Sequence, residues 1–207
     1  MKAKSYVYVV DDDPGMRNSM RMVIESASLP VKLYESADAF LDEYRATDAG
    51  VLLLDLQMPG MHGVELLRQL RSRGMRLPVV VVTGTGTVGI AVETMKLGVV
   101  DFLEKPVDHH TLLSKVEQAL AADAANRVEA SEVNAIRQRL AQLTDREREL
   151  LDLIVAGNSN KQIEAKLGIS IKTVANHRAH LMTKAGAVNT ADLVRMTMVA
   201  AAHPHGV

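Results

Sequence analysis

The sequence predicts two folded parts: an α/β domain on a five-stranded parallel, doubly wound sheet over residues 1–122, and a small all-α domain of four helices over 141–207, joined by a helical linker at 123–140. Three observations predict this. Short runs rich in β-branched residues, at 6–10, 31–34, 51–54, 78–82 and 99–103, alternate with segments of helical periodicity, the pattern of strand–helix–strand units with helices on both faces of a sheet. Between Pro106 and Pro204 there is no proline, and apolar residues recur there at approximate helical spacing. Charge is divided as well: residues 1–122 hold 13 Lys and Arg against 16 Asp and Glu, whereas 158–207 hold 6 against 2.

Composition narrows the possibilities. A chain of 207 residues with 47% hydrophobic residues has enough material for two modest cores. The absence of cysteine excludes disulfides, thiolate metal sites and a cysteine nucleophile. Lys2 and Lys4 precede an apolar run, but that run is short and ends in three acids, unlike a secretory signal. No apolar run approaches the roughly 20 residues of a membrane span. The expectation is a cytoplasmic protein with no membrane contact, whose basic second part offers a nucleic-acid surface.

In a doubly wound sheet, ligands bind beyond the carboxyl ends of the strands. Asp11, Asp12 and Asp13 follow the first strand, Asp55 the third, Thr83 the fourth and Lys105 the fifth. Taken singly, an Asp or Thr after a strand is usually a cap or turn former. Asp13, just before Pro14, suits the cap of the first helix. Together, the residues bring acids, a hydroxyl and an amine to one crevice. Carboxylates that close would repel unless a cation sat among them, and hard oxygen ligands with room for water suit Mg²⁺.

The fourth strand is followed by Gly84, Gly86 and Gly89, which spell G-x-G-x-x-G between a strand and a helix. A dinucleotide fingerprint belongs after the first strand, where this chain instead has acids that would repel pyrophosphate, and no Walker lysine is present. The stretch 83–89 is therefore read as a switch loop, its glycines allowing large backbone changes.

The stretches VVDDDP, LLLDLQMPGMHG, VVTG and FLEKP resemble the signature of the receiver domain of two-component response regulators, over roughly residues 4–122. The resemblance implies a flavodoxin-like fold. It also implies that Asp55 is the phosphoacceptor, that Asp11, Asp12, Asp55 and the backbone carbonyl of Gln57 hold Mg²⁺, and that Thr83 and Lys105 contact the phosphoryl group. By the same resemblance Thr83 and Phe102 move together as a switch and Lys105–Pro106 is a cis peptide. Phe102 reads equally as a plain core residue. Related loops often carry His and Asp where Thr85 and Thr87 stand here. An aspartyl-phosphate phosphohydrolase shares the nucleophilic Asp, Mg²⁺, Thr and Lys, but wants a second acid two residues after the nucleophile, where this chain has Gln57. The implied transfer needs little from the protein beyond positioning and charge neutralisation.

The linker keeps Leu112, Val116 and Leu120, then Val133, Ile136, Leu140 and Leu143, at helical spacing. The stripe thins between Ala121 and Ala130, so a flexible connector competes with a continuous helix. Beyond it, Thr144 with Glu147 forms a capping box before the buried stripe Leu150, Leu151 and Ile154, and Gly157 ends that helix. A short helix at 161–167 closes at Gly168, Ser170 caps a third helix running to about 184, and a fourth runs from about 189 to 201. Two short helices about a glycine turn, the second basic, suggest a helix-turn-helix.

This stretch, LTDRERELLDLIVAGNSNKQIEAKLGISIKTVANHRAHLMTKAGAVNTADLV, resembles the LuxR-type DNA-binding domain found behind receivers in the NarL/FixJ family. Glu164 departs from that pattern, which usually has a small Ala at this packing surface. Within the third helix, Val174, His177 and Leu181 share a core stripe, while Lys172, Ala175, Asn176 and Ala179 share the groove face. Thr173 and His180 border that face. Lys161, Lys172, Arg178 and Lys184 are the candidate phosphate contacts. His177 is read as packed in the core rather than as a switch or ligand.

The two resemblances imply a transcriptional regulator switched by phosphorylation, with a sensor histidine kinase, operator DNA and RNA polymerase as partners. They imply a homodimer when phosphorylated, with Val92, Met95 and Val99 offering apolar contact. A receiver whose output is protein binding is the reading against which the helix-turn-helix argues.

Overall fold

The protein is described as a computed structural model covering residues 5–84 and 88–202. Thr85 to Thr87 of the expected switch loop, Lys2, Lys4 and Pro204 lie outside the described residues. The chain divides into two compact units, 1–126 and 127–207.

The first unit alternates strand and helix: β1 (Tyr6–Val10), α1 (Pro14–Ser26), β2 (Val31–Tyr34), α2 (Ala37–Glu43), β3 (Gly50–Leu54), α3 (Gly63–Ser72), β4 (Val79–Thr83), α4 (Val88–Lys96), β5 (Asp101–Glu104) and the start of α5 (His109–Ala141). All pairings are parallel, in the order β2-β1-β3-β4-β5. The order reverses between β1 and β3, so the crevice opens where Asp11 and Asp55 follow their strands.

The period-2 alternation of each strand divides the core. Tyr8, Val10, Leu52, Leu54, Val79 and Val81 pack on one face with Phe40, Leu66, Leu67 and Leu70. Val7, Val9, Val51, Leu53, Val80 and Val82 pack on the other with Ile24, Leu112 and Val116. Each such buried aliphatic side chain contributes about 1.5–3 kcal/mol. Buried on both faces, the strands read as continuous apolar runs.

Capping follows the sequence closely. Asp13 caps α1 by accepting a bond from the Gly15 N–H at 2.7 Å, with Pro14 as first helical residue. Strand ends are displaced by a residue or two. β5 begins at Asp101 rather than 99, because Gly98 turns the chain at φ 76° and the amides of Val99 and Val100 bond Thr94 and Val79. The same turn buries Val99, correcting its expected place on an apolar surface; Val88, Val92, Met95 and Val100 are the exposed ones.

β3 starts at Gly50, where a side chain cannot stand. Its φ is 147°, and a Cβ would lie 1.9 Å from the Tyr6 carbonyl oxygen. The Gly50 N–H donates to the buried carboxylate of Asp123, in the middle of α5, at 3.0 Å. α5 is assigned as one helix of 33 residues.

The second unit contains α6 (Asp145–Val155), α7 (Asn160–Leu167), α8 (Ile171–Ala185) and α9 (Thr190–Ala202). Leu143, Leu150, Leu151, Ile154, Ile163, Val174, Leu181 and Leu193 form its core. The Thr144–Glu147 capping box is present, and a second one, Ser159 with Gln162, starts α7. Gly168 and Gly186 end α7 and α8 in the left-handed conformation. Among the described residues no helix is long and apolar enough to cross a membrane.

Candidate functional site

The crevice at the carboxyl ends of β1, β3, β4 and β5 gathers the sequence-expected residues. Asp11 is fully buried, Asp55 nearly so, and Asp12 is exposed at the rim. Carboxylate oxygens of all three lie within 4.8 Å of one another. The Lys105 ammonium donates to Asp11 Oδ2 at 2.7 Å and to Asp55 Oδ2 at 2.6 Å. The remaining oxygens are partly held by backbone: the Asp13 N–H donates to Asp11 Oδ1 at 2.9 Å and the Gln57 N–H to Asp55 Oδ1 at 3.0 Å.

Burial raises the Asp11 carboxyl above its ordinary value, and the bonds from Lys105 and Asp13 only partly offset that cost. Burial acts to lower Lys105, but its bonds to Asp11 and Asp55 outweigh it and hold the ammonium charged. One lysine thus faces a closely spaced acid group, an excess of negative charge that suits a divalent cation with oxygen donors. Asp12 on the solvent side leaves such a cation access to water.

Thr83 ends β4 and is fully buried, and its carbonyl accepts from the Lys105 N–H at 2.9 Å. Lys105 precedes Pro106 across a cis peptide bond. Phe102 is half-buried and packs against the sheet core. Sequence reasoning missed two arginines here. Arg17 donates to the Asp11 carbonyl at 2.6 Å, bracing the turn after β1. Arg71 on α3 donates to the carbonyls of Leu97 and Gly98 at 2.8 and 3.0 Å and to those of Met75 and Leu77, fastening the end of α4. Their partners are backbone carbonyls, most of them six or more residues away, so no side-chain pattern announces them.

In the second unit, Lys161, Lys172, Ala175, Asn176, Ala179 and His180 are exposed, and Thr173 is half-buried, bonded to the cap Ser170. Val174 and Leu181 are buried, with His177 half-buried in the same stripe. Two cations expected at phosphates have partners within the unit. Arg178 donates to Asn160 Oδ1 at 3.1 Å and to Thr190 Oγ1 at 2.7 Å, linking α7, α8 and α9. Lys184 pairs at 2.7 Å with Glu147, whose carboxyl is held down at about 2 by that lysine and by the Thr144 N–H. Glu164, the departure from the family pattern, is half-buried, and its Oε1 accepts from the Ile171 N–H at 3.1 Å, adding a carboxylate at the start of α8.

Residues 7–117 match the response regulator receiver domain family, and residues 141–197 match the luxR family of bacterial regulatory proteins. The chain is 42% identical over 198 residues to the transcriptional regulatory protein FixJ of Azorhizobium caulinodans, covering 96% of this chain and 94% of that one. It is 37% identical to the transcriptional regulatory protein TdiR of Thauera aromatica, covering 96% and 88%. Among solved structures, the response regulator StyR superposes with a TM-score of 0.86 at 37% identity, covering 95% of this chain and 99% of that one.

Proposed function

The chain belongs to the response regulators that join a receiver domain to a luxR-family DNA-binding domain, and we propose that Asp55 is the residue through which its phosphorylation state is set. The protein is a DNA-binding transcriptional regulator activated by phosphorylation. The observation that carries the Asp55 assignment is the Lys105 ammonium, reaching across 94 and 50 residues of sequence to bond Asp11 and Asp55 in one crevice.

A carboxylate oxygen of Asp55 attacks the phosphorus of a phosphohistidine on a sensor kinase. The P–O bond forms as the P–N bond breaks, and the imidazole leaves. Asp55 is held for attack by the Gln57 N–H, and Lys105 turns from Asp55 to the arriving phosphoryl oxygens as negative charge builds there. Thr83, at the end of the neighbouring strand, is the hydroxyl that the phosphoryl group draws toward itself. Asp11, Asp12, Asp55 and the Gln57 carbonyl are the ligand set for Mg²⁺, which receiver domains bind at such an acidic pocket. When bound, the ion neutralises phosphoryl charge.

The same reading makes the exposed apolar residues Val88, Val92, Met95 and Val100 the contact of a phosphorylation-promoted homodimer. Operator DNA meets α8 through Lys172, Thr173, Ala175, Asn176, Ala179 and His180, with Lys161 on a phosphate and with Arg178 and Lys184 at the periphery because of their internal partners. RNA polymerase is the partner through which binding affects transcription.

Incubation with a small phosphodonor and Mg²⁺ is expected to add one acid-stable, base-labile phosphoryl group, which Asp55→Asn abolishes. Full labelling of that variant at another residue would overturn the assignment. Sedimentation of the labelled protein is expected to move from monomer to dimer, and an unchanged mass would count against the α4 contact.

A further inference from the structure

The second unit is basic, and residues 158–207 contain only two acids, Glu164 and Asp192. Asp192 is spent: its carboxylate accepts from Arg195 and from the Val188 N–H. Glu164 is different. Its one bond among the described residues is from the Ile171 N–H, and no cation pairs with it there. One carboxylate oxygen is therefore committed and the other is not.

The position of that oxygen matters. Ile171 is the first residue of α8, and the bond is exposed. Lys172, next in the chain, begins the exposed groove stripe, and Lys161 lies one turn before Glu164 on the same face of α7. In a helix-turn-helix the first residues of the second helix are those that reach base edges. An amide at this helix start is also an ordinary phosphate donor, but here the carboxylate occupies it. A phosphate brought to the same place would meet a negative charge.

We propose that Glu164 is a specificity-determining residue that reads an amino group on the floor of the major groove, cytosine N4 first. A carboxylate only accepts hydrogen bonds, and the major-groove donors are the amino groups of cytosine and adenine; Glu and Asp suit cytosine. The flanking lysines hold phosphates while the acid between them faces the bases. The proposal rests on the DNA-binding reading and adds to it a residue of α7 that composes one base position together with α8.

Glu164→Gln separates reading from capping. The glutamine carbonyl keeps the bond from Ile171, so the uncommitted atom becomes an –NH₂ donor. The assay is selection from a randomised duplex library by the full-length phosphorylated protein, at two salt concentrations. The wild type is expected to prefer an amino-bearing base at one position by at least about 5-fold, the low end of the cost of one mismatch. Glu164→Gln is expected to turn that preference toward guanine or thymine, whose major-groove O6 or O4 accepts. Glu164→Ala is expected to lose the preference and, with one negative charge removed beside the DNA, to bind all sequences more tightly. Identical base preferences in all three proteins, with only a lowered unfolding temperature in the alanine variant, would overturn the proposal and leave Glu164 a cap. Failure of the wild type to select any sequence would remove the DNA-binding reading itself and the proposal with it, an outcome distinct from the first.

Discussion

Each unit buries acid beside a lysine, and Asp11 in the first and Glu147 in the second are driven in opposite directions. In the first unit Asp11 shares Lys105 with Asp55, and burial leaves its carboxyl above the ordinary value. In the second, Glu147 has Lys184, the Thr144 N–H and the Thr144 hydroxyl, and is held at about 2. Glu147 is a single acid that receives three donors on Oε2, one of them its own lysine, whereas the Asp11 crevice holds more negative charge than its one lysine can answer. A buried acid matched one to one by a cation is a structural part; a cluster of acids left short of positive charge is prepared to receive a cation and a phosphoryl group.

The contrast can be broken by substitution. The largest effect is expected from Lys105→Met, which removes the charge facing the incoming phosphoryl group: labelling by a small phosphodonor should slow by about 100-fold or more, while the second unit still binds DNA non-specifically. A variant labelled at the wild-type rate would show that Lys105 only balances the acids. Glu147→Gln should destabilise the second unit by about 1–3 kcal/mol, the cost of a lost charged bond with its partners left in place, and urea unfolding monitored on that unit measures it. The same carboxylate sets a pH dependence. It ionises more readily folded than unfolded, so its stabilisation is present above the ordinary value of 4.5 and is lost as pH falls toward about 2. Glu147→Gln should flatten that part of the stability curve; an unaltered curve would assign the acid sensitivity elsewhere.

On the recognition face, Asn176→Ala should cost about 1–3 kcal/mol on the best operator and flatten preference at one base, since Asn reads adenine in two bonds. Lys172→Ala should weaken all sequences alike and reduce the salt slope by about 1. If both variants lower affinity uniformly, α8 lies in the groove in another orientation. The smallest effect sharpens the comparison most. Asp11→Asn removes an ionised group that burial disfavours and should slightly stabilise the first unit, the opposite sign to Glu147→Gln, and a loss of stability would mean that Lys105 needs both acids.

Much of this was legible because it is local. Strand runs, the Asp13 cap and the Thr144–Glu147 box each lie within four residues, and the crevice residues could be named because a parallel sheet sends every strand's carboxyl end the same way. What escaped was set by contacts and turns that no local residue pattern displays. Lys184 and Arg178 read as free cations until Glu147, Asn160 and Thr190 are brought to them by the fold. Val99 read as surface because the turn at Gly98 tucks it inward. Glu164 read only as a departure at a packing surface because its partner is a backbone amide, which no side-chain pattern displays.

The bond between Gly50 and Asp123 governs where the molecule can be cut. A receiver fragment ending at residue 122, the boundary suggested by sequence, would lack the carboxylate that caps the first amide of β3. That strand carries Asp55 at its far end, so a laboratory preparation trimmed there would have a loosened central strand and a phosphoacceptor of altered competence. A fragment carried through Asn126, the limit of the compact unit, retains the tie.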